Sequence, residues 1–376
     1  MDMEPFKLER YFAKYEFCTR YLLSSSDCDG YPLQYVLDCA DERERALWDN
    51  LTLGYTDSPG SLFFREAIAA QYQTISPDEV VAASPGEINF SLMNILLSAG
   101  DEAICIAPAY QSLYQVARDL GCVVKPWTLP ENLAEFSPES LEELITPKTK
   151  LLIINFPHNP TGFIPTRAQF ERIAAIADRH GLFIFSDEMY HQLVYNPEDA
   201  IPAMCDIYDN SLSLWGMAKT FGMAGVRLGW AAGKRKDLLE KLLGFKDYLT
   251  ICNNGPGEVL STIALRHKEK FAGPNIAKIT ANQRLFDEFA RRNSNCITFH
   301  MPRAGSTALV GLKTPVSAFQ YSEKLLREAG IMLLPSEMFD YGDKHVRIGF
   351  GRASMPDVLP VWQAFIDGHP ELAGRK

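Results

Sequence analysis

Several common signatures are missing from this chain, and each absence narrows what it can be. No stretch of about 18 apolar residues runs without a charge, so no membrane span is expected. The opening MDMEPFKLERYF mixes charges with aromatics and has no apolar core, which argues against a secretory signal. Positive charge is not in excess: 37 Lys and Arg stand against 47 Asp and Glu, a net charge of −10. A nucleic-acid partner needs a basic footprint and is disfavoured, whereas a small anion can still find a locally positive site. The eight cysteines form no C-x-x-C pair, and their spacing points to neither a zinc site nor a disulfide framework. No metal is expected, and reduced thiols in a cytoplasmic protein are the natural reading. No G-x-G-x-x-G follows the first strand, which argues against a dinucleotide-binding oxidoreductase.

What is present is a chain of 376 residues, enough for two domains of about 150 residues or more. Helical and strand periods alternate from about residue 60. Residues 61–73, 88–100, 110–120, 137–145 and 166–180 read as helices, with Gly100 ending the second and Ser137 capping the fourth. Between them EVVAAS, AICIAP, CVVKPW, LLIINFP and LFIFSDE read as short apolar strands. This alternation indicates βαβ units and a mostly parallel sheet covered on both faces. Gly and Pro cluster at 250–258, which reads as a break. Long helical patterns follow at 259–293, and the remainder reads as α+β. The expectation is an α/β fold. Residues 40–255 form a large domain, and both chain ends, 1–39 and 256–376, build a smaller α+β domain.

Four segments stand out: NFPHNPTG (155–162), SDEMYH (186–191), GMAKTFGMAGVRLGW (216–230) and HVRIGF (345–350). Each adjoins an apolar strand, and ligands of open α/β sheets collect at the carboxyl ends of the strands. Lys219 follows the strand SLSLW among Gly and Ala, a setting suited to a Schiff-base lysine; on its own it reads as a surface lysine. Arg227 is a phosphate ligand by type, with glycines nearby for close backbone approach, or else half of a structural ion pair. Asp187 ends the strand LFIFS, where an unpaired carboxylate is costly; a protonated pyridine nitrogen would partner it, and so would a helix N-terminus. Tyr190 is a phenol donor or a core tyrosine. Asn159 sits in the turn NPTG, where Pro160 and Gly162 shape the backbone so that the side-chain amide can meet a ligand.

In combination and in order, these segments resemble the class I/II aminotransferases, the fold-type-I enzymes that use pyridoxal 5′-phosphate (PLP) and are related to aspartate aminotransferase. The family patterns N-P-x-N-P-T-G, D-x-x-Y, S-x-S-K-x-x-x-x-x-G-x-R-x-G and R-I-x-F appear here at 155–162, Asp187 to Tyr190, 216–229 and Arg347 to Phe350. The spacing agrees as well, with 32 residues from Asp187 to Lys219 and eight from Lys219 to Arg227. The resemblance implies a large domain with a mostly parallel seven-stranded-type sheet flanked by helices. It further implies that Lys219 carries PLP as a Schiff base and that Asp187 faces the pyridinium nitrogen. Asn159 and Tyr190 would bond the ring O3′, and Tyr110 would stack on the ring. Arg227 and the turn Ser84-Pro85-Gly86 would hold the phosphate, and Arg347 would clamp the substrate carboxylate. Tyr55 would reach the phosphate of a neighbouring subunit, which implies a homodimer with shared sites. The activity implied is transfer of an α-amino group from an amino acid to a 2-oxo acid.

The chain also departs from the family pattern. Small hydroxyl residues are usual three and one before the lysine, and here they are Gly216 and Ala218. A hydroxyl contact to phosphate is then missing unless Ser213 or Thr220 replaces it. Pro85 has no N–H to donate, and the segment LLSSSDCDGYPL (22–33) differs from the usual opening that helps line the substrate pocket. These differences keep a PLP-dependent lyase or a cyclase of the capreomycidine synthase kind as the rival reading. A DNA-binding regulator built on the same domain is disfavoured by the acidic charge.

Overall fold

The computed structural model describes residues 3–372. A two-residue strand, β1 (Tyr21–Leu22), comes first. Seven strands then form the large sheet: β2 (Val80–Ala83), β3 (Glu102–Ala107), β4 (Val123–Thr128), β5 (Thr149–Asn155), β6 (Phe183–Asp187), β7 (Ser211–Gly216) and β8 (Gly229–Ala232). Their order is β2-β8-β7-β6-β5-β3-β4. The neighbours from β7 across to β4 all pair parallel, and only β8 runs against both of its neighbours. The reason is visible in the residues. Strands β6 and β7 are buried at every position, and β5 at all but one, so they read as continuous apolar runs with helices on both faces. The helix Arg167–His180 covers one face, closed by a Thr166–Gln169 capping box and by Gly181 in the left-handed region at φ 63°.

The later strands build a second, antiparallel sheet. These are β9 (Ile297–Thr298), β10 (Thr307–Leu312), β11 (Ile331–Met332), β12 (Leu334–Pro335) and β13 (His345–Gly349). Four of them pair in the order β12-β13-β10-β9, while β11 pairs with β1 and so ties the start of the chain to its last third.

The structure corrects several element boundaries. The helix expected from residue 88 begins at Pro85, because a proline in the first turn has a preset φ and no N–H to waste. It stops at Leu96, and Gly100 belongs to the turn beyond it. The stretch 110–120 is broken at Tyr114 into a short 3₁₀ turn and the helix Gln115–Asp119. The acidic segment Pro138–Leu144 is 3₁₀ rather than α, with the Ser137 hydroxyl accepting from the Glu139 N–H. The Gly/Pro cluster at 250–258 is only partly a break. Asn254 accepts from the Gly257 N–H, Pro256 sits in the first turn, and the helix Gly255–Arg266 starts there. The helix Glu269–Arg292 follows it.

Candidate active site

The carboxyl ends of β3, β5, β6 and β7 converge on a cavity of about 380 Å³. Asp187, the last residue of β6, is 6% exposed in its wall. Its Oδ1 accepts from the Met189 N–H at 3.1 Å. Burial pushes its carboxyl up to about 6, against the opposing pull of that N–H and of Lys219. In the adjacent strand Asn155 ends β5. Its Nδ2 donates to the Asp187 carbonyl at 2.8 Å, and its Oδ1 accepts from the Asn159 N–H at 2.8 Å, which fixes the turn to the strand end. Asn159 Oδ1 accepts in turn from Arg347 Nη1 at 3.1 Å.

Arg347 comes from β13 and is 2% exposed. Its Nε and Nη2 donate to the Ser24 carbonyl at 3.1 and 2.9 Å. The guanidinium carbon lies 5.8 Å from the Phe12 ring centre and 5.5 Å from that of Phe339. Among the described residues no carboxylate forms an ion pair with it, and burial lowers its pKa. Lys219, three residues beyond β7, donates from Nζ to Ser26 Oγ at 2.9 Å. Tyr190 lines the same cavity, buried, with a hydroxyl that has no partner among the described residues. Tyr110 follows β3 and donates its hydroxyl to Glu9 at 2.5 Å. Arg227 is exposed, holds a left-handed φ of 53°, and donates Nη1 to the Ala224 carbonyl at 3.0 Å.

Of the eleven residues proposed from the sequence to bind cofactor or substrate, all but two line this cavity. Ser84 sits at the N-cap of the helix Pro85–Leu96, outside the lining, while Pro85 and Gly86 are part of it. Tyr55 lies elsewhere on the surface, 90% exposed. Two of the departures from the family pattern, Gly216 and Pro85, are coupled in space. A Cβ at Gly216 would stand 2.9 Å from Gly229 Cα and 3.3 Å from Pro85 Cγ, so Pro85 and a side chain at 216 compete for one volume. Ser213 does not replace the missing hydroxyl, because its Oγ donates to Glu188 at 2.8 Å and accepts from the Cys205 N–H at 3.1 Å. Thr220 is fully buried and does not line the cavity either.

Of the other wall, the sequence pointed only to the segment 22–33, without naming a residue in it, and not to the N-terminal helix. The helix Lys7–Tyr15 contributes Leu8, Glu9 and Phe12, Glu16 follows at its C-cap, and Ser25, Ser26 and Asp27 come from the segment after β1. The signal for the helix was available: Leu8, Tyr11, Phe12 and Tyr15 fall on one helical face. The segment 24–29 is packed against the end of β13. Arg352 Nη2 donates to both Asp27 oxygens at 2.9 and 3.1 Å, Ser25 donates to the same carboxylate, and Ser306 Oγ donates to the Ser26 carbonyl at 2.6 Å. A Cβ on Gly349 would run into the Ser25 carbonyl, and one on Gly351 into that of Asp27. Burial works against the Asp27 carboxylate, but the charges of Lys219 and Arg352 outweigh it and hold its pKa below the usual range.

Comparison with known proteins agrees with this geometry. The family described as Aminotransferase class I and II matches residues 21–359. The chain is 30% identical to capreomycidine synthase of Streptomyces vinaceus over 93% of its own length and 88% of that protein. It is 29% identical to aromatic-amino-acid aminotransferase 2 of Thermococcus litoralis, over 80% of each chain. The fold is that of a PLP-dependent aminotransferase from Streptococcus suis, with a TM-score of 0.91 at 24% identity, covering 98% of this chain and 99% of the other. The chain therefore belongs to the class I and II aminotransferases, a family of enzymes whose cofactor is pyridoxal phosphate.

Proposed function

We propose that this protein transfers the α-amino group of an amino acid to a 2-oxo acid, with PLP carried on Lys219. The observation that supports this most is the buried Arg347 guanidinium, which has no acid partner among the described residues yet shares a cavity with Lys219 and Asp187. A cation so placed is expensive unless an anion reaches it, and the flat, two-oxygen α-carboxylate of a substrate matches its fork. The unpartnered Tyr190 hydroxyl likewise calls for a ligand oxygen.

PLP fits these groups. Asp187 would pair with the ring nitrogen, Tyr190 and Asn159 would meet the ring O3′, and Tyr110 would lie against the ring face. Arg227 and the turn Ser84-Pro85-Gly86 would hold the phosphate at a helix start, where Pro85 has no amide hydrogen and Gly86 offers the first. When bound, the cofactor supplies an electron sink for the carbanion left at Cα. Lys219 would remove the Cα proton and deliver it to the cofactor's C4′ carbon, the shift that leaves the amino group on the cofactor side. Asp187, raised by burial, ionises fully once a cation stands against it and so keeps the ring nitrogen protonated. Arg347 fixes the orientation of the bond to be broken, a positioning effect.

The same reading includes a homodimer with shared sites, in which Tyr55 reaches the phosphate of the second copy. Leu53, Tyr55 and Tyr248 are about 90% exposed, more apolar surface than a lone loop would show. It includes a cytoplasmic location, which the eight free cysteines support. No helix among the described residues is long and apolar enough to cross a membrane. It also divides the chain into a large domain, 40–255, and a small one from 1–39 and 256–376. The large sheet falls wholly within the first and the antiparallel sheet within the second.

A cyclase or lyase reaction on the same residues is the second reading, supported by the likeness to capreomycidine synthase over 93% of the chain. Borohydride reduction and digestion of the holoprotein should leave the pyridoxyl mass on the peptide containing Lys219, and its absence there sinks both readings. One amino acid added without a 2-oxo acid should convert the bound cofactor to pyridoxamine phosphate. Product formation with no such conversion selects the second.

A further inference from the structure

The charges lining the cavity do not balance once the proposed cofactor and substrate carboxylate are assigned. Lys219, Arg227 and Arg347 each have a partner in that reading, and Asp187 has the ring nitrogen. Three carboxylates remain, Glu9, Glu16 and Asp27, all on the wall formed by the chain's first 30 residues. Asp27 is met by Arg352 at 2.9 Å. Glu9 receives only the neutral Tyr110 hydroxyl. Glu16 is half-buried, and its carboxylate makes no hydrogen bond or ion pair with any described residue. Two negative charges are thus left facing a cavity that already holds an unpartnered, buried Tyr190 hydroxyl and an unpaired, buried Arg347. Burial and the neighbouring Asp27 charge push the Glu16 pKa up, and the opposing pull of Arg352 and Lys219 does not cancel them. A substrate side chain ending in an acid would meet like charge here, and a neutral one would leave both carboxylates uncompensated.

We propose that the wall made by Glu9, Glu16 and Asp27 selects an amino acid whose side chain ends in a cation, a guanidinium or an ammonium group, with Arg347 holding its other end. This rests on the aminotransferase-site reading and names its substrate class. Glu16 is the principal specificity determinant, because its carboxylate is free to take the cation. Glu9 and Asp27 add to the field from either side.

The test uses holoprotein first shown by borohydride trapping to carry the cofactor on Lys219. Spectral titration then compares L-arginine with its neutral counterpart L-citrulline, L-lysine with L-norleucine, and L-glutamate as the acidic control. At least one cationic amino acid should bind about tenfold or more tightly than its neutral counterpart, and L-glutamate should bind most weakly. Which pair shows the larger ratio tells guanidinium from ammonium. Glu16→Gln should cut that ratio about tenfold, and Glu9→Gln by less. Equal binding of charged and neutral partners, a preference for L-glutamate, or a ratio untouched by Glu16→Gln each overturns the proposal while the site reading stands. Absence of the pyridoxyl label on Lys219 overturns both.

Discussion

The two walls of the cavity are made in different ways. One is the edge of the large sheet, where Asp187, Asn155 and the turns leading to Asn159 and Lys219 continue directly from buried strands. Their positions are set by strands that have no freedom to shift, and hydrogen bonds between neighbouring strand ends lock the side chains. The other is laid on from outside by the helix Lys7–Tyr15, packed on Met332, Leu334 and Phe339, and by the segment 24–29, held by the β1–β11 pairing and by Arg352 on Asp27. In the proposed reading the first wall meets the cofactor and the second meets whatever the substrate carries beyond its α-carbon. Chemistry and choice would then fall to different parts of the chain.

The comparison can be broken most sharply at Lys219, on the sheet edge, and at Arg347, which faces it from β13. Lys219→Ala should lower kcat by more than about 10³-fold, because it removes both the covalent attachment and the proton carrier, while circular dichroism and Tm stay near wild type. Arg347→Ala should cost about 2–5 kcal/mol in kcat/KM, carried mostly by KM, and Arg347→Lys should recover only part, because an ammonium cannot reproduce the two-pronged contact.

Asp187 sharpens the contrast in the cofactor-free protein. Its carboxyl is raised to about 6 in the folded state, so the stability it lends is present below its unfolded value near 4 and is lost as pH rises through about 6. Asp187→Asn apoprotein should therefore be more stable than wild type at pH 7, by on the order of 2 kcal/mol, with no difference at pH 4. Urea titrations at the two pH values check this. Cofactor should reverse the order, since it pairs with the carboxylate and not with the amide. The smallest effect is expected at the phosphate end. Gly216→Ser should destabilise by about 1–3 kcal/mol because its Cβ meets the Gly229 backbone and the Pro85 ring. Adding Pro85→Ala should return part of that loss, measured as a double-mutant cycle in Tm.

This division also explains what the sequence disclosed. The sheet-edge wall is legible because a strand of apolar residues ending in Asp, Asn or a Gly-rich lysine turn carries its chemistry at fixed spacing, and nearest-neighbour strands place those ends together. The parallel sheet was legible for the same reason, since β5, β6 and β7 are apolar on both faces. The outer wall was legible only as the segment 22–33, not residue by residue. Glu9 and Asp27 are held by residues more than 100 positions away, Tyr110 and Arg352, and no local pattern encodes such contacts. The helix Pro85–Leu96 was placed three residues late because Pro85 read as punctuation instead of a first-turn residue. The stretch 138–144 has the composition of an α-helix, yet its backbone takes the tighter 3₁₀ form.

The packing of Ser25 and Asp27 onto Gly349 and Gly351 has one more consequence. These glycines leave no room for a side chain, so backbone lies on backbone, and the strand that presents Arg347 is joined to the segment that presents Asp27. In the proposed reading this contact fixes the spacing of the two backbones that carry Arg347 and Asp27, and with it the reach that a bound amino acid must have.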